Sequence, residues 1–177
     1  MAIDNDMQLI ADLIDDLDQI PRLAHEKYRE YPADILIEHT PRAAATCTYD
    51  HMVAEAERRW IDRRGIVPKE IRGLKVWIVR DAAVLRFKKM DEDGRSRNYP
   101  TKQAKNFDDG ATLPGLPEPA ARLSVGYLLD GTQSQFIRAQ VAKPRSHKTI
   151  EWCAAIVPAS APGERTTWRD VTRQPGF

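Results

Sequence analysis

Arg86, Lys88, Lys89, Arg95, Arg97, Lys102 and Lys105 fall within one stretch of twenty residues, with Asn98, Tyr99 and Gln103 among them. Guanidinium and ammonium groups at this density suit phosphate contacts, and an aromatic ring between them suits base stacking. We therefore expect a nucleic-acid partner, RNA or DNA, at Arg86, Lys88, Lys89, Arg95, Arg97, Tyr99 and Lys102. If the protein is an enzyme, these residue types fit a metal-independent ribonuclease. Such a reaction needs a cation to stabilise the phosphorane charge and a second group to move protons. Arg86, Lys88, Arg97, Tyr99, Tyr127 and His147 supply those types, and the sequence leaves open whether any of them meet.

Other chemistries find little footing. His25, His39, His51 and His147 are scattered rather than set at metal-ligand spacing, so no metal and no cofactor is expected. His51 and Glu55 share a helix face but lack a third ligand. There is no phosphate-cradling P-loop, no GxGxxG after a strand and no GxSxG elbow. Cys47 and Cys153, two cysteines on distant segments, read as small buried hydrophobes in a reducing compartment rather than as a disulfide framework.

These residues must be positioned by an α+β fold, with N-terminal helices packed on an antiparallel sheet of about five strands built from hairpins. Met7, Ile10, Leu13, Ile14 and Leu17 form one helical stripe, with Asp12, Asp15, Asp16 and Asp18 around it. Pro21 either interrupts that helix or opens the next, which runs to Pro32. Residues 34–48 read as a loop with a candidate strand at Ile35 to Ile37. Asp50 is the expected N-cap of a third helix carrying Val53, Ala56, Trp60 and Ile61, with Gly65 as its stop. Beyond Pro68 the pattern alternates. Leu74 to Val79 and Val84 to Met90 make one hairpin; Leu123 to Leu129 and Gln135 to Lys143 make another across Asp130-Gly131; Ile150 to Ile156 returns after a turn at Pro144 to His147. Tyr127 and Trp152 are expected in the core, and Trp77 is a candidate partner anchor. The single domain spans 1–157, helical over 1–66 and sheet over 73–157. It contains a long loop at 91–121, and 158–177 is expected to be a flexible tail.

Charge is segregated along the chain. Residues 1–40 carry ten acidic and three basic side chains, and residues 55–105 carry fifteen basic and eight acidic ones. On the second strand Arg86 and Lys88 take one face while Leu85 and Phe87 take the other. Two arrangements satisfy this pattern. Either the acidic helices neutralise the basic strand, or the two regions face separate partners. The second class of function is therefore a non-enzymatic interaction protein, an antitoxin, inhibitor or phage antagonist. It would dock Ile10, Leu13 and Leu17, flanked by Asp15 and Asp16, into a protein partner. No apolar run approaches the roughly 18 residues of a membrane span, and the N-terminus is acidic, so a cytoplasmic protein without membrane association is expected.

The run VLRFKKMDEDGRSRNYPTKQ, followed by LPGLP and RLSVGYLLD, resembles small prophage and mobile-element proteins encoded beside Xre-type repressors or ImmA/IrrE-type metalloproteases. The resemblance covers Val84 to Asp130 and implies a toxin–antitoxin or phage-defence setting, with a cognate antitoxin or toxin as protein partner. The order of helices before strands is similar to RelE/ParE-type toxins, whose basic sheet engages RNA or a protein target. The longer chain and its 31-residue central segment depart from that plan, so no active residue is carried over.

Overall fold

The structure, a computed structural model, describes residues 1–96 and 100–173. Five helices and seven strands follow in the order α1 (Ala2–Gln8), α2 (Ile14–Arg29), α3 (Ala33–Glu38), α4 (Pro41–Trp60), β1 (Ile66–Ile71), β2 (Leu74–Val79), β3 (Ala83–Lys89), α5 (Lys102–Asp108), β4 (Ala121–Leu129), β5 (Phe136–Pro144), β6 (Ile150–Val157) and β7 (Thr167–Asp170), with a short 3₁₀ turn at Ala11–Leu13. The strands form one open sheet in sequential order, β1 to β7. All neighbouring pairs are antiparallel except β3 and β4, which run parallel.

The expected α+β order of helices then strands is observed, with seven strands where about five were expected. The five expected strands are β2 to β6. The first addition, β1, pairs with β2 through residues exposed on both faces and carries Pro68, so it has no alternating pattern to read. The second, β7, lies in the segment expected to be a tail. It pairs with β6, and Trp168 packs against the core, which draws this otherwise polar segment onto the sheet. The parallel step corrects the all-hairpin reading. A parallel connection needs a crossover of a dozen or more residues, and the segment between Lys89 and Ala121 supplies it with α5 inside.

The helical boundaries also move. Pro21 lies inside α2, buried, at the loss of one intrahelical hydrogen bond. The loop expected at 34–48 is α3 followed by the first turns of α4. Thr40 caps α4 by accepting from the Ala43 amide at 3.2 Å, and Pro41 stands at the first helical position. Asp50 is therefore a mid-helix residue rather than an N-cap.

One face of the sheet is covered by α2 and α4. Ile10, Leu13, Leu17 and Ile20 bury against Leu85, Phe87, Leu123, Val125, Tyr127, Val141 and Trp152. Burial of large side chains on this scale is the main stabilising term of the domain. Tyr127 and Trp152 are core residues as expected. Trp77 is core as well, edge-on to Phe87 at 4.9 Å, and this rules it out as an exposed anchor. Ile10, Leu13 and Leu17 are each 0% exposed, so the stripe expected to enter a partner's groove is spent on the protein's own sheet.

The acidic N-terminal segment neutralises a basic set other than β3. Asp16 accepts from Arg59 (3.0 Å), Arg63 (3.0 Å) and the Trp60 indole (2.8 Å). Asp12 pairs with Arg80 at 2.8 Å and with Arg63 at 3.2 Å. The Arg80 hydrogen bond holds the Asp12 carboxyl below its usual range against an opposing desolvation. Asp6 accepts from Lys143 (2.8 Å) and Trp152 (3.1 Å). Asp15 is exposed. Among the described residues no helix is long and apolar enough to cross a membrane.

Candidate nucleic-acid interface

On the second face of the sheet the register sets polar and small residues in rows. Arg86 lies opposite Ser124, which lies opposite Ala142, which lies opposite Cys153. The next row is Lys88, Gly126, Gln140 and Ala155. A side chain at Gly126 would meet the Lys88 carbonyl oxygen at 1.6 Å, so only glycine lets β3 and β4 approach here. Residues 91–95 lie across this face. Gly94, at φ +83°, packs where a Cβ would stand 2.8 Å from Ala142 Cβ and 3.0 Å from Cys153 Sγ. The α5 helix covers the next stretch, capped by Thr101 accepting from the Ala104 amide at 3.2 Å, with Phe107 buried over Val76, Ile78 and Val84.

Arg86 stands in this setting as a buried cation, 4% exposed. Its Nε donates to Ser124 Oγ at 3.0 Å and its Nη2 to Asp108 Oδ1 at 2.5 Å, and its guanidinium lies 4.9 Å from the Phe107 ring centre. Nη1 is buried without a hydrogen-bond partner. Desolvation lowers the Arg86 pKa against the pull of Asp108, and an arginine side chain stays charged regardless. Desolvation raises the Asp108 carboxyl, against Arg86 and Lys88. Lys88, on the same face, is pushed down to about 8, first by burial and then by the Arg86 charge.

These groups line a cleft of about 250 Å³ whose rim includes Arg95, Lys105, His147 and Lys148. His147 is fixed by the residue that follows Asp108. Asp109 Oδ1 accepts from the His147 amide at 2.8 Å and contacts its Nδ1 at 2.9 Å. A carboxylate only accepts, so Nδ1 carries the proton and Nε2 is the nitrogen left for other partners.

Of the residues expected to contact nucleic acid, Arg86 and Lys88 line the floor of this cleft and Arg95 its rim. Arg95 is exposed and paired with Asp93 at 2.7 Å. Lys102 is exposed at the start of α5. Lys89 is not part of the cleft. The alternation of β3 sends it to the opposite face, where its Nζ donates to Gln133 at 2.5 Å. Arg97 and Tyr99 lie outside the described residues. Of the other groups considered for phosphodiester chemistry, His147 lines the cleft and Tyr127 lies in the helix-side core. His51 and Glu55 do not form a site: His51 bonds Tyr31 at 2.8 Å and Glu55 holds Arg58 and Arg59. Sequence reasoning missed Asp108, Asp109 and Ser124. Their signal was a polar residue alternating with Leu123 and Val125, and an acidic pair just ahead of Gly110.

Among the described residues no group of three His, Cys, Asp or Glu side chains is placed to hold a metal ion. Comparison with protein-family models, curated proteins and solved structures returns no match, so the reading of this chain rests on its own geometry.

Proposed function

We propose that the protein binds nucleic acid through the cleft on the second face of the sheet. A backbone phosphate sits over Lys88 and Arg86, and Arg95, Lys102 and Lys148 neutralise phosphates to either side. The observation that carries this reading is the cleft floor. Two cations, Arg86 and Lys88, share it with a single carboxylate, Asp108, and one arm of the buried guanidinium is left unpartnered. A buried N–H without a partner costs about 1–3 kcal/mol, and the partial burial of Lys88 beside a second cation adds to that. An anion recruited to the cleft gives that arm a partner and offsets the charge of both cations.

The placement of the acidic segment supports the same reading. Asp12 and Asp16 are occupied by Arg59, Arg63 and Arg80, so they do not reach across to neutralise Arg86 and Lys88. The resemblance of Val84 to Asp130 to prophage proteins of toxin–antitoxin and defence loci fits a toxin-like protein that acts on nucleic acid or its machinery. The test is a titration of ¹⁵N-labelled protein with single-stranded RNA and with DNA. Amide shifts concentrated at Lys88, Ser124, Asp109 and 145–149 are expected. Shifts confined to α1–α4, or no shifts at low salt, would overturn the proposal.

A further inference from the structure

The two consecutive carboxylates that end α5 each hold one group of the cleft: Asp108 binds the Arg86 guanidinium and Asp109 binds the His147 imidazole. Neighbouring Cα atoms are about 3.8 Å apart, so a fixed cation and a fixed imidazole are tied to adjacent anchors. Both line the same 250 Å³ space as Lys88. The His147 clamp has two points, main-chain amide and ring Nδ1, on one carboxylate. That arrangement sets the ring's orientation and tautomer, as a carboxylate does for a proton-transferring histidine elsewhere. A surface histidine serving solubility needs neither constraint.

We infer that this cleft cleaves RNA by metal-independent transesterification, with His147 and Lys88 as the proton-transfer pair and Arg86 stabilising the charge that gathers on phosphorus. The inference rests on the nucleic-acid reading above and adds an activity to it. The His147 Nε2 takes the proton of a ribose 2′-hydroxyl, and the 2′-oxygen forms a bond to the adjacent phosphorus. The P–O5′ bond breaks, its electron pair leaves with O5′, and the Lys88 ammonium protonates that oxygen. The products are one strand ending in a 2′,3′-cyclic phosphate and one beginning with a 5′-hydroxyl. The enzyme is left with a proton moved from Lys88 to His147, which solvent returns. An ammonium whose pKa is brought down to about 8, as that of Lys88 is, gives up its proton readily to a leaving oxygen. Asp109 acts as a positioning residue, through His147 alone.

The experiment incubates the full chain with a mixed-sequence single-stranded RNA oligonucleotide, with and without EDTA, beside the all-deoxy oligonucleotide of the same sequence. Intact protein, His147→Gln and Asp109→Asn are compared. Cleavage of RNA alone, with cyclic-phosphate ends, is expected. His147→Gln, an exposed turn position, should retain RNA affinity and the native melting curve while losing cleavage by roughly a hundred-fold or more. Asp109→Asn should lower kcat with little change in KM. RNA that is bound but uncut, or cut equally well by His147→Gln, overturns the inference and leaves the binding reading standing. Cleavage of the deoxy strand, or cleavage abolished by EDTA, overturns the transesterification route. RNA that is not bound at all overturns both.

Discussion

Arg86→Met isolates the buried ion pair at the centre of the second sheet face. The substitution keeps a long apolar stem but removes the Nη2 bond to Asp108 (2.5 Å), the Nε bond to Ser124 (3.0 Å) and the charge beside Phe107 (4.9 Å). What remains is a largely buried Asp108 carboxylate with its principal cation gone. Breaking a buried pair from one side costs about 3–5 kcal/mol. For a chain of this size a kcal/mol moves Tm by about 2–4 °C, so a drop of roughly 6–20 °C is expected. The cost must also depend on pH. Burial already raises the Asp108 pKa, and the Arg86 charge that opposes this is lost in the variant. A carboxyl with a raised folded-state pKa contributes stability below its unfolded pKa and loses it as pH rises through the folded value. The deficit of Arg86→Met should therefore be largest at neutral pH and shrink on acidification. Urea unfolding of Arg86→Met, Asp108→Leu and the double variant completes a cycle. The double variant should cost much less than the sum of the singles, because it leaves no orphaned charge. A single-variant cost below about 1 kcal/mol, or strict additivity, would refute the assignment of this pair as a coupled buried unit.

Two further outcomes follow from the same face. Lys88→Met should stabilise the fold by about 1–2 kcal/mol at neutral pH, because a desolvated ammonium beside Arg86 gives way to an apolar chain of similar length. Since the Lys88 pKa is lowered from 10.5 to about 8, the intact protein should also gain stability as pH rises through that interval. Lys88→Met should lack the gain, and equal denaturation curves for the two proteins across this range would contradict the reading. Gly94→Ala places a methyl 2.8 Å from Ala142 Cβ in a backbone at φ +83°. It should cost about 1–3 kcal/mol by thermal melting, and an unchanged Tm would show that residues 91–95 do not pack on the sheet as described.

How much of this could be read from the chain differs from element to element for physical reasons. Strands β2 to β6 were legible because each runs six or more residues, rich in apolar side chains, between turn signals, and the sheet buries them on both faces. The strand β1 was not, because its four middle residues are exposed and only Ile66 enters the core, and β7 is four residues anchored by one tryptophan. The α4 helix was only half read. Its first turns, PRAAATC, bury little beyond Ala45, so the amphipathic signal begins near Asp50 although the cap at Thr40 and Pro41 was present. The stripe Ile10, Leu13 and Leu17 was identified correctly as an apolar face but assigned to a partner, and periodicity cannot distinguish an external groove from the protein's own sheet. In the site, alternation paired Arg86 with Lys88 on one face. The same alternation sends Lys89 to the other side, so its inclusion with Arg86 and Lys88 went against the pattern. Asp108, Asp109 and His147 join through tertiary contacts 22 and 38 residues apart in sequence, which no local pattern encodes.

The central claim is that the Lys88–Arg86 cleft receives a nucleic-acid phosphate. Its most direct test is the salt dependence of RNA and DNA affinity for the intact protein, Lys88→Met, and Lys27→Met on exposed helical surface away from the cleft. Each phosphate neutralised contributes about −0.9 to the slope of log K against log salt on duplex DNA, or about −0.7 on single strands. Lys88→Met is predicted to bind more weakly with a slope shallower by nearly one such unit, and Lys27→Met to match the intact protein. Identical slopes and affinities for all three would contradict the account.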